Sequence, residues 1–472
     1  MRETMLNALK RHIHPGPVFL ALCVFLLLWR IPYYGRFVLD DPFITFRTSF
    51  NLIHHSQFTY NLGEYVLATT TPVYGLIAAI FEALNLPVTV AATILNLACE
   101  VALLYVLGLL VDELVPRWGG LAYGVAGVLI ITNRAMSIAS NSGMETPLFV
   151  LLNLIALVGI IRGRYTQASV AGSLATLTRP DGIFVLAVLA GTVVWRERRL
   201  PWKEAGLSLL IGLPWVIVAT ATYGLPIPQS VLAKSAIVRL WEPAALGSKL
   251  RVVFYEPLRF FGLAAIGPLI LGVGYLGRKR WQGMPLLVFG VLHLAYVALP
   301  NNLGFDWYFA PLFTLLNVLV AVGLAWLLDG GRVRMWMARA CTGLILMGVA
   351  YSSVGNYLSV AEIDSIWRAG MFRVVDYLNA NADEDALIQS TNIGILGYYT
   401  HRPMLDPLGL ASPEATALID GAADLTDLLR LTAAKLNPDY IISFGTENYA
   451  GYVQAAEFPT STVPLVVYRR AG

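Results

Sequence analysis

Apolar runs long enough to cross a membrane recur through the first 356 residues of the chain. They fall at about 16–31, 72–85, 88–110, 118–133, 142–161, 168–195, 204–222, 257–277, 283–299, 305–327 and 336–356. Between the first two, residues 32–71 are too long and too mixed to be a simple turn. Within them, residues 43–53 carry an amphipathic helical pattern that ends near Asn51, His54 and His55, which predicts a helix lying in the interface. Beyond residue 358 the pattern changes: charge rises and the apolar runs shorten. The spacing there predicts helices over 367–379 and 424–435, strands over 386–389, 440–444 and 463–467, and a short segment over 393–399. Short strands alternating with helices describe a small α/β domain. The expectation is a mainly α, polytopic membrane protein of about 11 spans. Its membrane domain is 1–357, with outer loops at 32–71 and 223–256, and an α/β domain follows over 358–472.

Composition agrees. The chain is 57% hydrophobic and 13% charged, against roughly 25% charge in a soluble domain. The net charge of +3 is small, and its distribution carries more information. Arg2, Lys10 and Arg11 precede the first run. Further basic clusters are Arg196, Arg198, Arg199 and Lys203, then Arg278, Lys279 and Arg280, then Arg332, Arg334 and Arg339. All can be cytoplasmic together, which places the N-terminus inside. The 223–256 loop, the 300–304 loop and everything after 357 then lie outside, with Asp40 and Asp41. An odd number of crossings must separate residues 72 and 195. Five full spans satisfy this but leave Arg162 and Arg164 outside. Alternatively, 72–85 lies in the interface and 168–195 breaks at Arg179-Pro180-Asp181-Gly182, which returns Arg162 and Arg164 to the inside. The first run lacks a small-residue cleavage site and reads as a retained span. Cys23, Cys99 and Cys341 all sit in apolar runs and read as core residues rather than a disulfide framework or metal site. The basic residues form no nucleic-acid patch.

Several polar groups stand where an apolar scaffold would exclude them. Asp40 and Asp41 are adjacent carboxylates just beyond the first run, a position where charge marks function by default; a surface loop is the alternative. Glu145 opens a long apolar run, either capping that helix or lining a pocket. Arg179 beside Asp181 interrupts another run, as a pocket element or a hinge. Lys234 follows the loop Tyr223-Gly224-Leu225-Pro226-Ile227-Pro228-Gln229-Ser230 and suits an anionic headgroup or phosphate; a snorkelling anchor is the plainer reading. Asp306, Trp307 and their aromatic neighbours form a rim at the end of a span. His401 and Asp406 lie in the α/β domain. Acids and bases gathered on one membrane face fit chemistry on a lipid-linked anionic substrate. A carboxylate takes a proton from an acceptor hydroxyl, and cations steady a phosphate as it leaves. A divalent ion is compatible with paired acids, although no dense ligand cluster accompanies them.

These segments, in their order, resemble the GT-C superfamily of integral-membrane glycosyltransferases. Within it they are most similar to the mycobacterial terminal arabinofuranosyltransferase group and related bacterial polyprenyl-phosphate-sugar transferases. The stretch Asp40-Asp41-Pro42-Phe43-Ile44-Thr45-Phe46-Arg47 resembles that group's acidic motif of the first outer loop, and Tyr60-Asn61-Leu62-Gly63-Glu64 resembles its FNPGE segment. Ser142-Gly143-Met144-Glu145-Thr146 also matches. Leu177-Thr178-Arg179-Pro180-Asp181-Gly182 resembles LTRPEG, the Tyr223–Lys234 stretch resembles YGxPxPNTxxxK with Gln229-Ser230 in place of Asn-Thr, and Asp406-Pro407-Leu408-Gly409-Leu410 resembles DxxGL. The resemblance implies inverting transfer of a sugar, with arabinofuranose a candidate, from a polyprenyl-phosphate donor to an extracytoplasmic glycan, lipid or protein of the cell envelope. It implies Asp40 or Asp41 as base, Lys234 and Arg179 for the donor phosphate, and a pocket or acceptor role for Arg47, Glu64, Glu145, Tyr223, Gln229, Asp306, Trp307, His401 and Asp406. Protein O-mannosyltransferases and lipid A aminoarabinose transferases share the plan and are alternatives. Outside the enzyme class, the rivals are a transporter or flippase of a lipid-linked substrate and a non-catalytic membrane scaffold. Transporters often carry internal repeats, and this sequence shows none.

Overall fold

The computed structural model describes residues 16–36, 39–238, 240, 263–298 and 305–471. The basic residues before 16, most of the outer loop beyond 240, the start of the 257–277 run and Asn301 to Gly304 lie outside the described residues.

Among the described residues, six helices are long and apolar enough to cross a membrane, or seven if the bent pair Gly119–Ile131 and Arg134–Asn141 (58° between them) counts as one. This is fewer than the expected eleven, and helix length is the reason. Pro72–Ala83 has 12 residues, Tyr165–Thr178 has 14 and Ile183–Glu197 has 15. At about 1.5 Å per residue these reach roughly 18–23 Å, short of the ~30 Å hydrocarbon layer. The 168–195 run divides at a 3-10 turn over Pro180–Gly182, where Pro and Gly break the helical pattern.

The bundle has two distinct ends. At one, Arg162 Nε lies 2.9 Å from Glu113, Arg196 Nη1 donates to the Ile161 carbonyl at 3.4 Å, and Lys279 Nζ donates to the Leu114 carbonyl at 2.7 Å. Arg162 thus shares an end with Arg196 and Lys279, as in the version where the chain breaks at Arg179. At the other end the acidic and aromatic segments meet. Between the ends, Arg30 is buried against Glu100, and its guanidinium also donates to Ser137 Oγ at 2.7 Å and the Ile131 carbonyl at 3.2 Å. Ser140 Oγ donates to the same Glu100 at 2.7 Å. A buried pair persists when its remaining donors and acceptors are satisfied in this way.

The helix expected over 43–53 forms as Asp41–His55, with residues 42–49 and Asn51 buried rather than laid out along an open interface. The long helix Arg332–Ile366 runs on through a single π turn, Trp367–Met371, into Phe372–Asn381 and so delivers the chain to the α/β domain. That domain holds a five-stranded sheet of β1 (Ile388–Gln389), β2 (Met404–Leu405), β3 (Tyr440–Phe444), β4 (Tyr452–Phe458) and β5 (Leu465–Arg470), in the order β2-β1-β3-β5-β4. β1 pairs in parallel with β2 and β3, and the β3–β5 and β5–β4 pairs are antiparallel. Phe43, Phe46 and Tyr60 of the first outer loop share one buried core with Leu378, Ile388, Ile395 and Val467 of the domain. Loop and domain are therefore packed as one layer above the pocket end of the bundle.

Candidate active site

Segments far apart in sequence converge on a cavity of about 440 Å³, lined by Asp41, Glu145, Arg179, Asp181, Lys234 and Trp307 together with apolar groups such as Ile183, Phe184 and Val231. Its size is that of a small-molecule pocket. A second, smaller cavity of about 70 Å³ shares Asp41, Ile44, Lys234 and Leu410 with the first and extends beneath the α/β domain to Asp40, Asn392 and Asp406.

The two adjacent aspartates are used differently. Pro42 lies in the first turn of the Asp41–His55 helix and presets its geometry. This turns the Asp40 carboxylate away, toward the helix Ile393–Thr400 of the α/β domain. Its oxygens accept from the Gly394 and Ile395 amides, each at 2.7 Å, so Asp40 closes the N-terminus of a helix more than 350 residues distant. The approach needs glycine: a Cβ at Gly394 would run into the Asp40 carbonyl and carboxylate. Burial pushes Asp40 up to about 7, against the two amide bonds, which favour its ionised form. Asp41 instead faces both cavities. Burial raises its carboxyl above the ordinary range, and the Lys234 charge opposes the rise.

Lys234 projects from the helix Gln229–Ile237 and donates to Tyr308 Oη at 2.8 Å. Burial disfavours its charge, but Tyr308 and Asp41 outweigh that and hold its pKa above the usual value. One turn earlier, Ser230 lines the same cavity; it is 3% exposed, and its hydroxyl has no partner among the described residues. Arg179 is buried and held from several sides. It lies 3.1 Å from Asp181 and 3.9 Å from Glu145, donates to the Trp307 carbonyl at 3.2 Å, and stacks over the rings of Phe149 and Tyr308. Glu145 is aimed by a turn in which Gly143 adopts φ +79° and where a Cβ would crowd Phe46 and Ala92, a position only glycine takes without strain.

The remaining predicted residues hold the frame. Arg47 is buried beneath the domain, donating to the Tyr60 carbonyl at 2.7 Å and the Arg402 carbonyl at 2.8 Å. Glu64 is exposed and accepts from Asn61 at 3.0 Å. Tyr223 donates to the Phe58 carbonyl at 2.7 Å, and Gln229 ties its loop to Thr416 at 3.0 Å. Asp306 pairs with Arg134 at 3.4 Å, and His401 stacks on Phe50 at 4.4 Å. None of these six lines either cavity. Asp406 lines the smaller one, but its oxygens accept from the Leu408, Leu410 and Ala411 amides; burial raises it to about 7. Asp40 and Asp406 are committed to backbone amides and Asp181 to Arg179, whereas Asp41 has no hydrogen bond among the described residues. Among the described residues no group of three or more His, Cys, Asp or Glu is arranged to hold a metal. Pattern reading placed Ser230 and Tyr308 within its motifs without naming them as site residues, and missed the run Thr69-Thr70-Thr71, which supplies hydroxyls to the larger cavity. Three consecutive threonines directly before an apolar helix were the available signal.

Comparison with known proteins bears on the fold. A family model described as a domain of unknown function, DUF8728, matches residues 361–470. No curated protein sequence matches the chain. Among solved structures, the oligosaccharyltransferase of Archaeoglobus fulgidus is similar at 15% identity and TM-score 0.61, over 92% of this chain and 70% of that one. ArnT of Cupriavidus metallidurans is similar at 14% identity and TM-score 0.61, over 96% of this chain and 97% of its own; it has also been solved bound to undecaprenyl phosphate. The arabinofuranosyltransferase AftD from mycobacteria is similar at 16% identity and TM-score 0.50, over 96% of this chain and 41% of that one. The architecture built above is therefore shared, as a fold, with these solved structures.

Proposed function

We propose that the chain is an inverting glycosyltransferase that moves a sugar from a polyprenyl-phosphate donor to an acceptor hydroxyl, with Asp41 as general base. The observation that carries this reading is the convergence of one uncommitted carboxylate with two buried cations and an apolar wall around a single cavity. The donor's sugar and phosphate occupy the larger cavity, and its prenyl chain lies along Ile183, Phe184 and Val231. Lys234 and the Ser230 hydroxyl hold the phosphate, with Arg179 behind them. ArnT's binding of undecaprenyl phosphate supports a carrier of this class.

The acceptor hydroxyl gives its proton to Asp41 while its oxygen attacks the anomeric carbon. The bond from that carbon to the phosphate oxygen breaks, and its electron pair leaves on polyprenyl phosphate. Attack opposite the leaving group inverts the anomeric centre. A base works best with a pKa raised toward the operating pH, and burial gives Asp41 that character. Cations placed where the phosphate charge develops stabilise the transition state. The catalytic domain is the membrane bundle within residues 1–357, and 358–472 are an extracytoplasmic lid. The basic end is cytoplasmic.

Arabinofuranose is the sugar favoured by the ordered motifs. Aminoarabinose is the second reading, because the likeness to ArnT extends over 97% of that chain. The test is a panel of radiolabelled polyprenyl-phosphate sugars offered to the purified protein in nanodiscs. Turnover of one donor, with an inverted product, supports the reading and names the sugar. A folded protein that neither binds nor turns over any of them overturns it.

A further inference from the structure

We propose that the donor's sugar lies against a cluster of three threonine hydroxyls, those of Thr45, Thr69 and Thr71, which recognises a hydrogen-bond donor on the sugar while Lys234 and Ser230 take the phosphate. This rests on the transferase reading above and deepens it.

The larger cavity has two kinds of polar lining. One is cationic, from Lys234 and Arg179. The other is neutral, from Thr45, Thr69, Thr70 and Thr71. The hydroxyl oxygens of three of these form a triangle: 3.0 Å between Thr69 and Thr71, 3.1 Å between Thr45 and Thr69, and 3.3 Å between Thr45 and Thr71. A hydroxyl has one hydrogen to give and two lone pairs with which to accept. Closed as a ring, the triangle uses all three hydrogens and one lone pair of each oxygen. The Thr71 amide, 3.2 Å from Thr69 Oγ1, takes the second lone pair of Thr69. Thr45 and Thr71 each keep an accepting lone pair with no other partner among the described residues. Whatever meets them must bring a hydrogen. Of the three parts of a polyprenyl-phosphate sugar, the prenyl chain has no polar group and the phosphodiester only accepts. The sugar alone carries hydrogen-bond donors.

Placement agrees with this chemistry. Thr45 stands one turn after Asp41 on the helix Asp41–His55, and both line the cavity. A sugar on the cluster is therefore beside the carboxylate that serves its anomeric carbon. The Gln229 amide donates to the Leu67 carbonyl at 2.8 Å, which ties the threonine segment to the start of the helix carrying Ser230 and Lys234. Sugar and phosphate, joined by a single oxygen in the donor, find their partners on adjoining segments. The cluster is also fixed in advance. Ser49 Oγ lies 2.8 Å from the carbonyls of both Thr45 and Gly75, and the Gly75 amide donates to the Thr71 carbonyl at 2.8 Å. Groups held in place before binding lose little freedom on binding.

The test uses the full chain in nanodiscs without acceptor. Dissociation constants are measured for the donor of the panel above that the wild type binds, and for undecaprenyl phosphate, which lacks the sugar. Thr45→Val and Thr71→Val each exchange a hydroxyl for a methyl group. Each is expected to weaken donor binding about tenfold, the loss of one hydrogen bond, while undecaprenyl phosphate binds within about twofold of the wild type and so reports a folded site. Thr45→Ser, which restores the hydroxyl, is expected to recover most of the donor affinity. One monodeoxy analogue of the donor is expected to bind the wild type more weakly and to lose nothing further with Thr45→Val, as two halves of one contact must. Unchanged donor binding in both valine variants overturns the subsite. Equal weakening of donor and undecaprenyl phosphate also overturns it, since the threonines then serve the phosphate or the scaffold. So do additive losses with every monodeoxy analogue. A folded wild type that neither binds nor turns over any donor overturns the transferase reading itself, so the two failures are distinguishable.

Discussion

Replacing Asp40 separates its role from that of Asp41. Asp40→Ala removes two hydrogen bonds of 2.7 Å and leaves the Gly394 and Ile395 amides buried without their partner. Each orphaned amide costs on the order of 1–3 kcal/mol. Water entering the vacated space recovers part of this, so the expected loss is about 2–4 kcal/mol of local stability. The loss falls on the contact between the first outer loop and the helix Ile393–Thr400 rather than on the bundle. Hydrogen exchange reads it directly: the Gly394 and Ile395 amides are expected to exchange on the order of 30–1,000 times faster at pH 7, while amides of the Ala310–Leu328 helix keep their protection. Gly394→Ala is an independent check, since its Cβ runs into the Asp40 carbonyl and carboxyl carbon and displaces the helix while the Asp40 side chain itself is kept. Donor hydrolysis to water is expected to survive in both variants, reduced less than tenfold, because neither removes Asp41 or Lys234. Unchanged exchange at those two amides in Asp40→Ala, or loss of hydrolysis as complete as in Asp41→Asn, would refute the reasoning.

Lys234→Met removes both the proposed phosphate ligand and the charge that holds down the Asp41 pKa. Donor kcat/KM is expected to fall about 100-fold or more. Because Asp41 must be deprotonated to act as base, the acidic limb of the pH–rate profile is expected to move to higher pH. Asp406, raised to about 7 by burial, binds a proton on folding wherever the pH lies between its unfolded value near ~3.9 and 7. Its stabilising contribution is thus complete below the unfolded pKa and is lost as pH rises through 7. Asp406→Asn is therefore expected to flatten the decline of Tm between pH 5 and 8, as thermal unfolding at several pH values would record. Arg47→Ala breaks the ties to Tyr60 and Arg402 and is expected to cost about 3 kcal/mol of stability in chemical denaturation, with the donor KM unchanged.

The membrane helices were legible because spanning a bilayer demands long apolar runs, and the breaks between them carry Pro, Gly or charge. Lengths were less so. Whether Tyr165–Thr178 and Ile183–Glu197 form one long helix or two short ones turns on Pro180 and Gly182, and the sequence allowed both versions. In the α/β domain the buried strand β3 stood out as an apolar run. β4 did not, because Tyr452–Phe458 is a mostly exposed edge strand with glutamine and glutamate in it. The acidic pair drew attention at once, but its division of labour was hidden. Asp40 finds its partners at Gly394 and Ile395, and no local pattern reveals which carboxylate a distant helix will take. Similar reasoning covers Arg47, Tyr223 and Gln229: each stood in a motif, and each proved to bind backbone or loop atoms that hold the pocket's walls in position. Ser230 went unremarked as a ligand because a lone serine beside a proline is ordinary. Only its burial without a partner sets it apart.

The most direct measurement is single-turnover release of sugar from a saturating polyprenyl-phosphate donor by Asp41→Asn protein beside the wild type. Binding of the lipid phosphate is measured on the same samples. The account predicts a rate at least 1,000-fold lower in Asp41→Asn, roughly what loss of a general base costs, with lipid binding retained. A folded Asp41→Asn protein that releases sugar at a rate near that of the wild type would contradict it.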